Sequence, residues 1–293
     1  MSLTPTTTDP AALPAAVAPT ARRPLAPTLI VGAALVAVVV AAALLSFVWT
    51  PYDPTQASPA DRLQGSSAAH LMGTDRYGRD IFSAILAGSQ ITLLVGVVAV
   101  GIALLVGTPL GIAAGMRGGW LEELVMRASD VMLAFPALLL AIMFGAVFGA
   151  STTTAMVAIG IASIPAFARV ARSGTLQVMS LEFVMAARAA SQRPVRIARR
   201  HILPNIVGMV IVQSSTSFAL AVLAEAGLSF LGLGTPPPVP SWGRMLQESQ
   251  QFLGTEPMLA VWPGLAIAVA VLGFNLLGDG LRDRFDPKLN GER

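Results

Sequence analysis

The chain has 293 residues, of which 54% are hydrophobic and 12% are charged, and its formal net charge is +3. A soluble domain of this length cannot cover so apolar a chain with polar surface, so the composition indicates an integral membrane protein. The absence of cysteine excludes disulfides and thiol catalysis, and the basic residues lie between apolar runs, which favours a role in membrane orientation over nucleic-acid binding.

The amino-terminal part divides into three segments. Residues 1–27 carry six prolines among Ala and Thr, a composition that predicts a disordered tail. Residues 28–49 contain no charge and are long enough to cross a hydrocarbon layer of about 30 Å, so they form the first predicted span. Residues 50–90 are polar and rich in turns, and apolar residues recurring between 81 and 86 predict a short helix on the membrane surface.

The second predicted span covers about residues 91–115. Gly107, Gly111 and Gly115 recur in it at every fourth position, which leaves one face of the helix without side chains. We expect this face to pack closely against another helix.

Four more apolar runs follow, and they complete a core of residues 91–278 before a charged tail at 279–293. A polar loop at residues 181–205 interrupts the core. The third span is expected to bend at its proline. The four runs are predicted as residues 131–149 bent at Pro136, a fourth span ending near Arg169 and Arg172, a fifth from about Ile206, and a sixth at 258–277.

The distribution of charge predicts the orientation of these six spans. With the amino terminus inside, 15 of the 19 basic residues face the cytoplasm, as the positive-inside rule requires. The sequence therefore predicts an all-α integral membrane protein with six transmembrane helices and both termini in the cytoplasm.

The sequence excludes two classes of catalytic site, because the residues that each would need are missing or lie apart. The single lysine, Lys288, follows no GxxxxGK[ST] motif, so the chain cannot hold a P-loop of its own. His70 and His201 fall on opposite sides of the membrane in this topology. They cannot share a metal ion or a catalytic triad, which disfavours an intramembrane hydrolase.

The stretch GTDRYGRD at residues 73–80 places two acids close to His70. A metal site formed by His70, Asp75 and Asp80 is one interpretation. Turn chemistry and mutual ion pairing of these acids with Arg76 and Arg79 explain the stretch without a metal ion, and we favour that interpretation.

Glu225 is an acid within the fifth predicted span, roughly 31 Å from Pro204 along a helix and therefore near the outer boundary. A carboxylate inside the membrane suggests a function, and we consider it a candidate residue of a substrate path; a hydrated or helix-pairing acid is the alternative. Beyond it, three consecutive prolines and Trp242 predict a stiff external segment. Trp242 is interpreted either as an interfacial aromatic or as a contact to an external partner.

The longest cationic segment is LEFVMAARAASQRPVRIARRHILPN, residues 181–205, in which five arginines stand against one acid, Glu182. Glu182 in a first turn and Pro194 further on predict a short helix between them. An ordinary positive-inside loop is the simpler interpretation. Two stripes are predicted on the helix, Phe183, Ala186, Ala187 and Ala190 on one, and Met185, Arg188 and Gln192 on the other.

MAARAAS followed by HILPN resembles the EAA loop of permease subunits of ATP-binding-cassette (ABC) importers. That pattern is E-A-A, a Gly four residues beyond the second Ala, and later I-x-L-P or I-L-P. Met185 stands in place of the Glu, and Ser191 in place of the Gly. Five residues match the pattern: Ala186, Ala187, Ile202, Leu203 and Pro204.

Four further stretches, at residues 71–96, 130–142, 224–246 and 263–289, are similar to the C-type permeases of the dipeptide, oligopeptide and nickel importers. The resemblance implies a type I importer fold in which this chain pairs with a second homologous permease subunit. It also implies two cytoplasmic ABC ATPases that bind the ATP, an external substrate-binding protein, and a chain that itself needs no cofactor. The implied ATPase-coupling residues are Glu182, Met185, Ala186, Ala187, Arg188, Ser191, Gln192, Ile202, Leu203 and Pro204.

The predicted function is therefore that of a non-catalytic translocation subunit for di- or oligopeptides. Nickel or another small solute is the alternative cargo. An ion-coupled secondary transporter is a third interpretation, and it would need intramembrane charges, of which the spans offer almost none apart from Glu225.

Overall fold

The computed structural model describes residues 27–285. The predicted tail at residues 1–26 and the last part of the charged tail, residues 286–293, lie outside the described residues. Ten α-helices are numbered in chain order: α1 Pro27–Val48, α2 Ile81–Arg117, α3 Gly119–Ala134, α4 Ala137–Phe148, α5 Thr152–Met179, α6 Glu182–Ala189, α7 Pro194–Ile197, α8 Leu203–Phe230, α9 Trp242–Ser249 and α10 Met258–Phe285.

The predicted all-helical membrane class is confirmed. In the described part of the chain, five stretches of helix are long and apolar enough to span a membrane: α1, α2, α5, α7 with α8, and α10. The count rises to six if α3 and α4 are taken together as one broken span.

α2 differs from the prediction of a surface helix followed by a separate span. It is a single helix of 37 residues from Ile81 to Arg117, about 55 Å long at 1.5 Å per residue. Asp80 caps its first turn by accepting from the Ser83 amide at 2.8 Å. No proline lies between that cap and the apolar run, so the helix continues well beyond the roughly 30 Å of a hydrocarbon layer.

The predicted bend of the third span at Pro136 is confirmed, and it is a sharp break between two helices. α3 and α4 meet at an angle of 83° around Phe135 and Pro136. Proline forces the residue before it out of the helical region, and Phe135 has φ −88° and ψ 129°. Pro136 also lacks an amide to continue the hydrogen-bond ladder, so α4 starts as a new helix.

Two helices extend further than hydropathy indicates. α5 continues past Arg169 and Arg172 to Met179, and α10 continues through residues 279–285 of the predicted tail. Arginine is a good helix former, and no glycine–proline break follows either apolar run, so charge alone does not end these helices.

The glycine-lined face of α2 packs against α5. A Cβ built at Gly107 would lie 2.6 Å from the Ile164 carbonyl oxygen, and one at Gly115 would lie 2.8 Å from Thr175 Cβ. At Gly111 the added atom would overlap the Ala168 carbonyl oxygen. Glycine at these positions therefore allows the closest approach of two helix backbones in this pair.

α1 packs against α10 in the opposite direction, since Gly32 meets Leu277 and Gly273 meets Leu35. The described chain therefore begins and ends at one end of the helix bundle. The short helix α6 lies at this same end, which we call the α6 end. The opposite end carries α9 and is called the α9 end.

Candidate functional site

α6 is a short amphipathic helix that the rest of the α6 end holds in place. Val184 and Ala187 are its buried residues, and they pack in one apolar cluster with Ile197, Ile202 and Ile206. Only two residues connect α6 to α5, and the apolar cluster also contains Ile206 near the start of α8. Both helices therefore hold α6 in place. The remaining residues of α6 are exposed: Glu182, Phe183, Met185, Ala186, Arg188 and Ala189.

The exposed face differs from the two predicted stripes. Ala187 points into the apolar cluster, whereas Ala186 and Ala190 face outward. Met185, which stands in place of the pattern's Glu, is 52% exposed. The outward face is therefore mixed: small side chains and apolar area surround the Arg188 guanidinium.

α6 ends in a Schellman motif centred on Ser191. The Gln192 amide donates to the Ala187 carbonyl at 3.1 Å, and the Ser191 amide donates to the Arg188 carbonyl at 2.9 Å. Ser191 has φ +55°, in the left-handed region that favours glycine. The positive φ of this turn explains why the EAA pattern has glycine at this position. This chain forms the turn with a serine.

The matched residues Ile202, Leu203 and Pro204 form the other half of the site. Between α7 and α8 the backbone makes a π-helical turn, Ala198–Ile202, in which the Leu203 amide reaches back to the Ala198 carbonyl. A proline cannot donate to the carbonyl four residues earlier and clashes with it. Pro204 therefore widens the turn before it, and a single-turn π-bulge of this kind is frequent at functional sites.

Two contacts fasten α6 to its neighbours. The Arg188 side chain donates from Nη2 to the Met116 carbonyl oxygen at the end of α2, at 3.4 Å. The Phe183 ring lies 5.9 Å, centroid to centroid, from the His201 ring in the π turn. The sequence resemblance placed these residues in one loop, and the structure shows which helices they join.

α3 is tied to α5 by two ion pairs that sequence reasoning missed. Glu122 pairs with Arg172, and Asp130 pairs with Arg169. The four residues occur in runs that read as ordinary charged ends of spans. A signal was available, because the two acids are spaced eight residues apart on one face of the amphipathic α3.

A large cavity opens among α3, α4, α5, α8, α9 and α10. Its volume is about 770 Å³, and apolar side chains supply most of its wall. Its polar side chains are Ser163, Gln213 and Ser217, and the Gln213 amide donates to the Ser217 hydroxyl at 3.0 Å. No charged side chain of the described residues lines this cavity.

Glu225 does not belong to the cavity wall, although Ala224 and Ala226 do. It is 1% exposed, and its carboxyl group accepts a hydrogen bond from the Ser229 hydroxyl at 2.6 Å. The same hydroxyl accepts from the Thr235 amide at 3.1 Å. Glu225 therefore lies beside the cavity and closes the turn that follows α8, and its place in a substrate path stays a prediction.

Trp242 is buried at the α9 end, and the prediction of an interfacial aromatic is wrong. It is 2% exposed and donates from Nε1 to the Ile85 carbonyl at 3.0 Å. Its ring lies against Gly88, where an added Cβ would come within 2.8 Å of the ring. α9 thereby packs onto the first turns of α2.

The charged residues at the α9 end pair with one another. Arg79 bridges Asp75, at 2.6 Å, and Glu248, at 2.7 Å. Asp80 pairs with His70 rather than with an arginine, at 3.0 Å. Within residues 27–285 no three His, Asp or Glu side chains come together as metal ligands would, and Asp75 is occupied by Arg79.

The chain has an exposed short helix between two spans and a large, mostly apolar cavity beside them, and comparison with known proteins identifies its class as that of importer permeases. Residues 107–291, more than half of the chain, match the family described as binding-protein-dependent transport system inner membrane component. The chain belongs to this family. It is a multi-pass protein of the bacterial inner membrane.

Two curated relatives cover most of both chains. The dipeptide transport system permease protein DppC of Alkalihalophilus pseudofirmus is 44% identical over 89% of this chain and 86% of its own length. The glutathione transport system permease protein GsiD of Pectobacterium atrosepticum is 45% identical over 82% of this chain and 80% of its own. Both are transport permeases, so the expected C-type, peptide-importer group is confirmed.

The fold is also found among solved structures. A chain of the inward-facing MetNI methionine ABC transporter aligns with 69% of this chain and 96% of its own, with a TM-score of 0.58 and 16% identity. At that identity the likeness concerns the fold alone, and it confirms the type I importer permease fold.

Proposed function

We propose that the chain works as one of two homologous permease subunits in a peptide importer that two cytoplasmic ABC ATPases drive. In this proposal the α6 end faces the cytoplasm, and an external binding protein delivers short peptides to the α9 end. The bias of basic residues supports the orientation. The relatives named for dipeptide and glutathione transport support a short peptide as cargo.

The observation that carries the proposal is the placement of α6. Its exposed face is free to receive another protein, while Val184 and Ala187 lock it to α5 and α8. α5 and α8 both line the 770 Å³ cavity. A force applied to α6 is therefore transmitted directly to the helices that border the cavity.

Closure of the ATPase dimer on ATP would displace α6, and α5 and α8 would follow as rigid rods. Such movement alternates the side on which the cavity opens, because packed helices shift between discrete arrangements and do not deform continuously. No residue of this chain needs to form or break a bond. ATP would be bound and hydrolysed by the ATPase subunits only.

The cavity wall supports a cargo that is recognised loosely. Ser163, Gln213 and Ser217 can exchange hydrogen bonds with a peptide backbone, and the rest of the wall is apolar. A wall without charge does not select for the charge of peptide side chains. Selectivity would then rest with the external binding protein.

The direct test is uptake by the reconstituted transporter, with the second permease, the ATPases and the binding protein in liposomes. Uptake of a labelled dipeptide or of glutathione that needs internal ATP and the binding protein is the expected result. Uptake of Ni²⁺ but of neither peptide would show that the cargo is the metal ion and not a short peptide. Uptake that follows an ion gradient without the ATPases would overturn the proposal.

A further inference from the structure

An apolar groove on the outside of the α6 end carries a separate inference. It lies between the last turns of α2 and the α7–π segment, with Ile112 and Met116 on one side and Val195 and Leu203 on the other. Its volume is about 380 Å³, and its surface is almost entirely carbon. Val195 is 69% exposed and Leu203 is 40% exposed.

The groove has the length of an acyl chain in one leaflet. It extends along α2 from Thr108 to Arg117, ten residues whose nine rises of 1.5 Å span about 14 Å. One leaflet contributes about 15 Å to a hydrocarbon layer of about 30 Å. Large side chains exposed on a membrane helix are expected to be covered by lipid or protein, since apolar surface of this extent is not left to water.

Cations stand where the groove reaches the end of α2. Arg117 and Arg199 both line it, and among the described residues neither has an ion-pair partner. Arg199 is shared with an adjoining open cleft lined by Arg193, Val195, Arg196 and Arg200. No acidic side chain of the described residues lines the groove or the cleft.

We propose that this groove binds an anionic phospholipid, with one acyl chain against Ile112, Met116 and Leu203 and the phosphate between Arg117 and Arg199. Guanidinium groups bind phosphate in a bidentate geometry, and basic pockets between membrane helices are suited to acidic headgroups. The occupant must have a long apolar part and a negative charge at one end. A membrane phospholipid combines the two, whereas a free phosphate would leave the apolar groove uncovered.

The site lies on the segment that joins α6 to α8, so a bound lipid would also affect how this segment packs. Val195 and Arg199 flank Ile197, which packs under α6. A lipid in the groove would hold α7 and the π turn against α2. This consequence does not depend on which solute the protein carries.

The test is lipid titration of the purified, delipidated transporter followed by native mass spectrometry. Phosphatidylglycerol is compared with phosphatidylcholine that has the same acyl chains. We expect the tightest site to prefer phosphatidylglycerol by about 10- to 30-fold, the effect of two nearby arginines. Equal affinity for the two lipids would overturn the proposal.

Three variants sharpen the test. R117Q/R199Q removes both cations and is expected to abolish the preference, whereas R282Q/R284Q, an equal loss of charge at two exposed arginines of α10, is expected to keep it. Ala113→Phe fills the groove without changing any charge and is expected to weaken binding of both lipids. Full assembly of each variant is checked by size-exclusion chromatography.

Two outcomes contradict the placement. Phosphatidylglycerol binding that Ala113→Phe leaves unchanged would show that no acyl chain occupies the groove. If R117Q/R199Q keeps phosphatidylglycerol but releases the ATPase subunits, the arginines serve a protein contact instead and the lipid proposal fails.

Discussion

The Gln192 amide donates to the Ala187 carbonyl at 3.1 Å across Ser191, whose φ of +55° closes the end of α6. This bond joins the buried face of α6 to the chain that leads into α7. It places the exposed residues of α6 in one fixed orientation over the apolar cluster beneath them.

Ser191→Gly is expected to strengthen this turn. A non-glycine residue in the left-handed region costs roughly 1–2 kcal/mol, and part of that is offset by the larger chain entropy of glycine in the unfolded state. We expect the opening of the α6 terminus to become less favourable by about 0.5–1 kcal/mol, so amide exchange at residues 191–192 slows about two- to fivefold. Hydrogen–deuterium exchange by mass spectrometry measures this.

Ala190→Gly is the matched control for that variant. Ala190 has φ −76°, so it has no strain to relieve, and glycine there should make exchange faster. Slower exchange in both variants, or faster exchange in Ser191→Gly, would show that the positive φ is not what limits this turn.

Pro204→Ala is expected to close the π turn before α8. The alanine amide can donate to the Arg200 carbonyl, and removing the bulge rotates α7 by about 100° relative to α8. Ile197 would then leave the cluster under α6. We expect peptide uptake to fall at least about fivefold while assembly is retained, since the affected turn is local.

Pro59→Ala provides the control, because Pro59 begins a short 3₁₀ turn at the α9 end and displaces no carbonyl in a span. Uptake should stay close to that of the wild type. Normal uptake by Pro204→Ala would mean that transmission through α8 does not need the widened turn.

Gly111→Ala is expected to be severely destabilising. The new Cβ would overlap the Ala168 carbonyl oxygen, and a backbone atom cannot move aside as a side-chain tip can, so we expect a loss of about 2–3 kcal/mol. Gly101→Ala on the same helix meets nothing within 4 Å and should gain up to about 1 kcal/mol from helix propensity. Thermal stability followed by size-exclusion chromatography separates the two, and equal stabilities would contradict the close α2–α5 packing.

Glu225→Ala is expected to loosen the turn after α8. It leaves the buried Ser229 hydroxyl without its acceptor, a loss of about 1–3 kcal/mol, whereas Glu225→Gln keeps an oxygen at that place. We therefore expect transport and stability close to wild type for Gln and lower stability for Ala. A transport defect in Glu225→Gln with normal stability would return this residue to the substrate path.

The spans and the position of α6 were accessible from the sequence because they depend on local properties. Apolar runs locate α1, α5, α8 and α10, and the matched pattern around Ala187 and Pro204 locates α6 and the turn before α8. The turn at Ser191 was not predicted, although glycine in the pattern at that position is a signal for a positive φ.

The remaining features depend on contacts between distant parts of the chain. The packing of α9 on α2 depends on Trp242, which lies 157 residues from its hydrogen-bond partner Ile85. The ion pairs of α3 with α5 and the cavity among six helices arise only when those helices pack. Hydropathy places a helix in the membrane but does not indicate which of its faces lines a cavity, so it could not show that Glu225 is absent from the cavity wall.

The central claim, that the exposed face of α6 docks on an ATPase, is tested most directly by site-specific photocrosslinking. A photoreactive amino acid at Met185, which is 52% exposed, is compared with the same group at Tyr77, which is 42% exposed at the α9 end. We predict that Met185 crosslinks to an ABC ATPase subunit and that Tyr77 does not. Crosslinking of Met185 to the external binding protein, or of Tyr77 to the ATPase, would contradict the account.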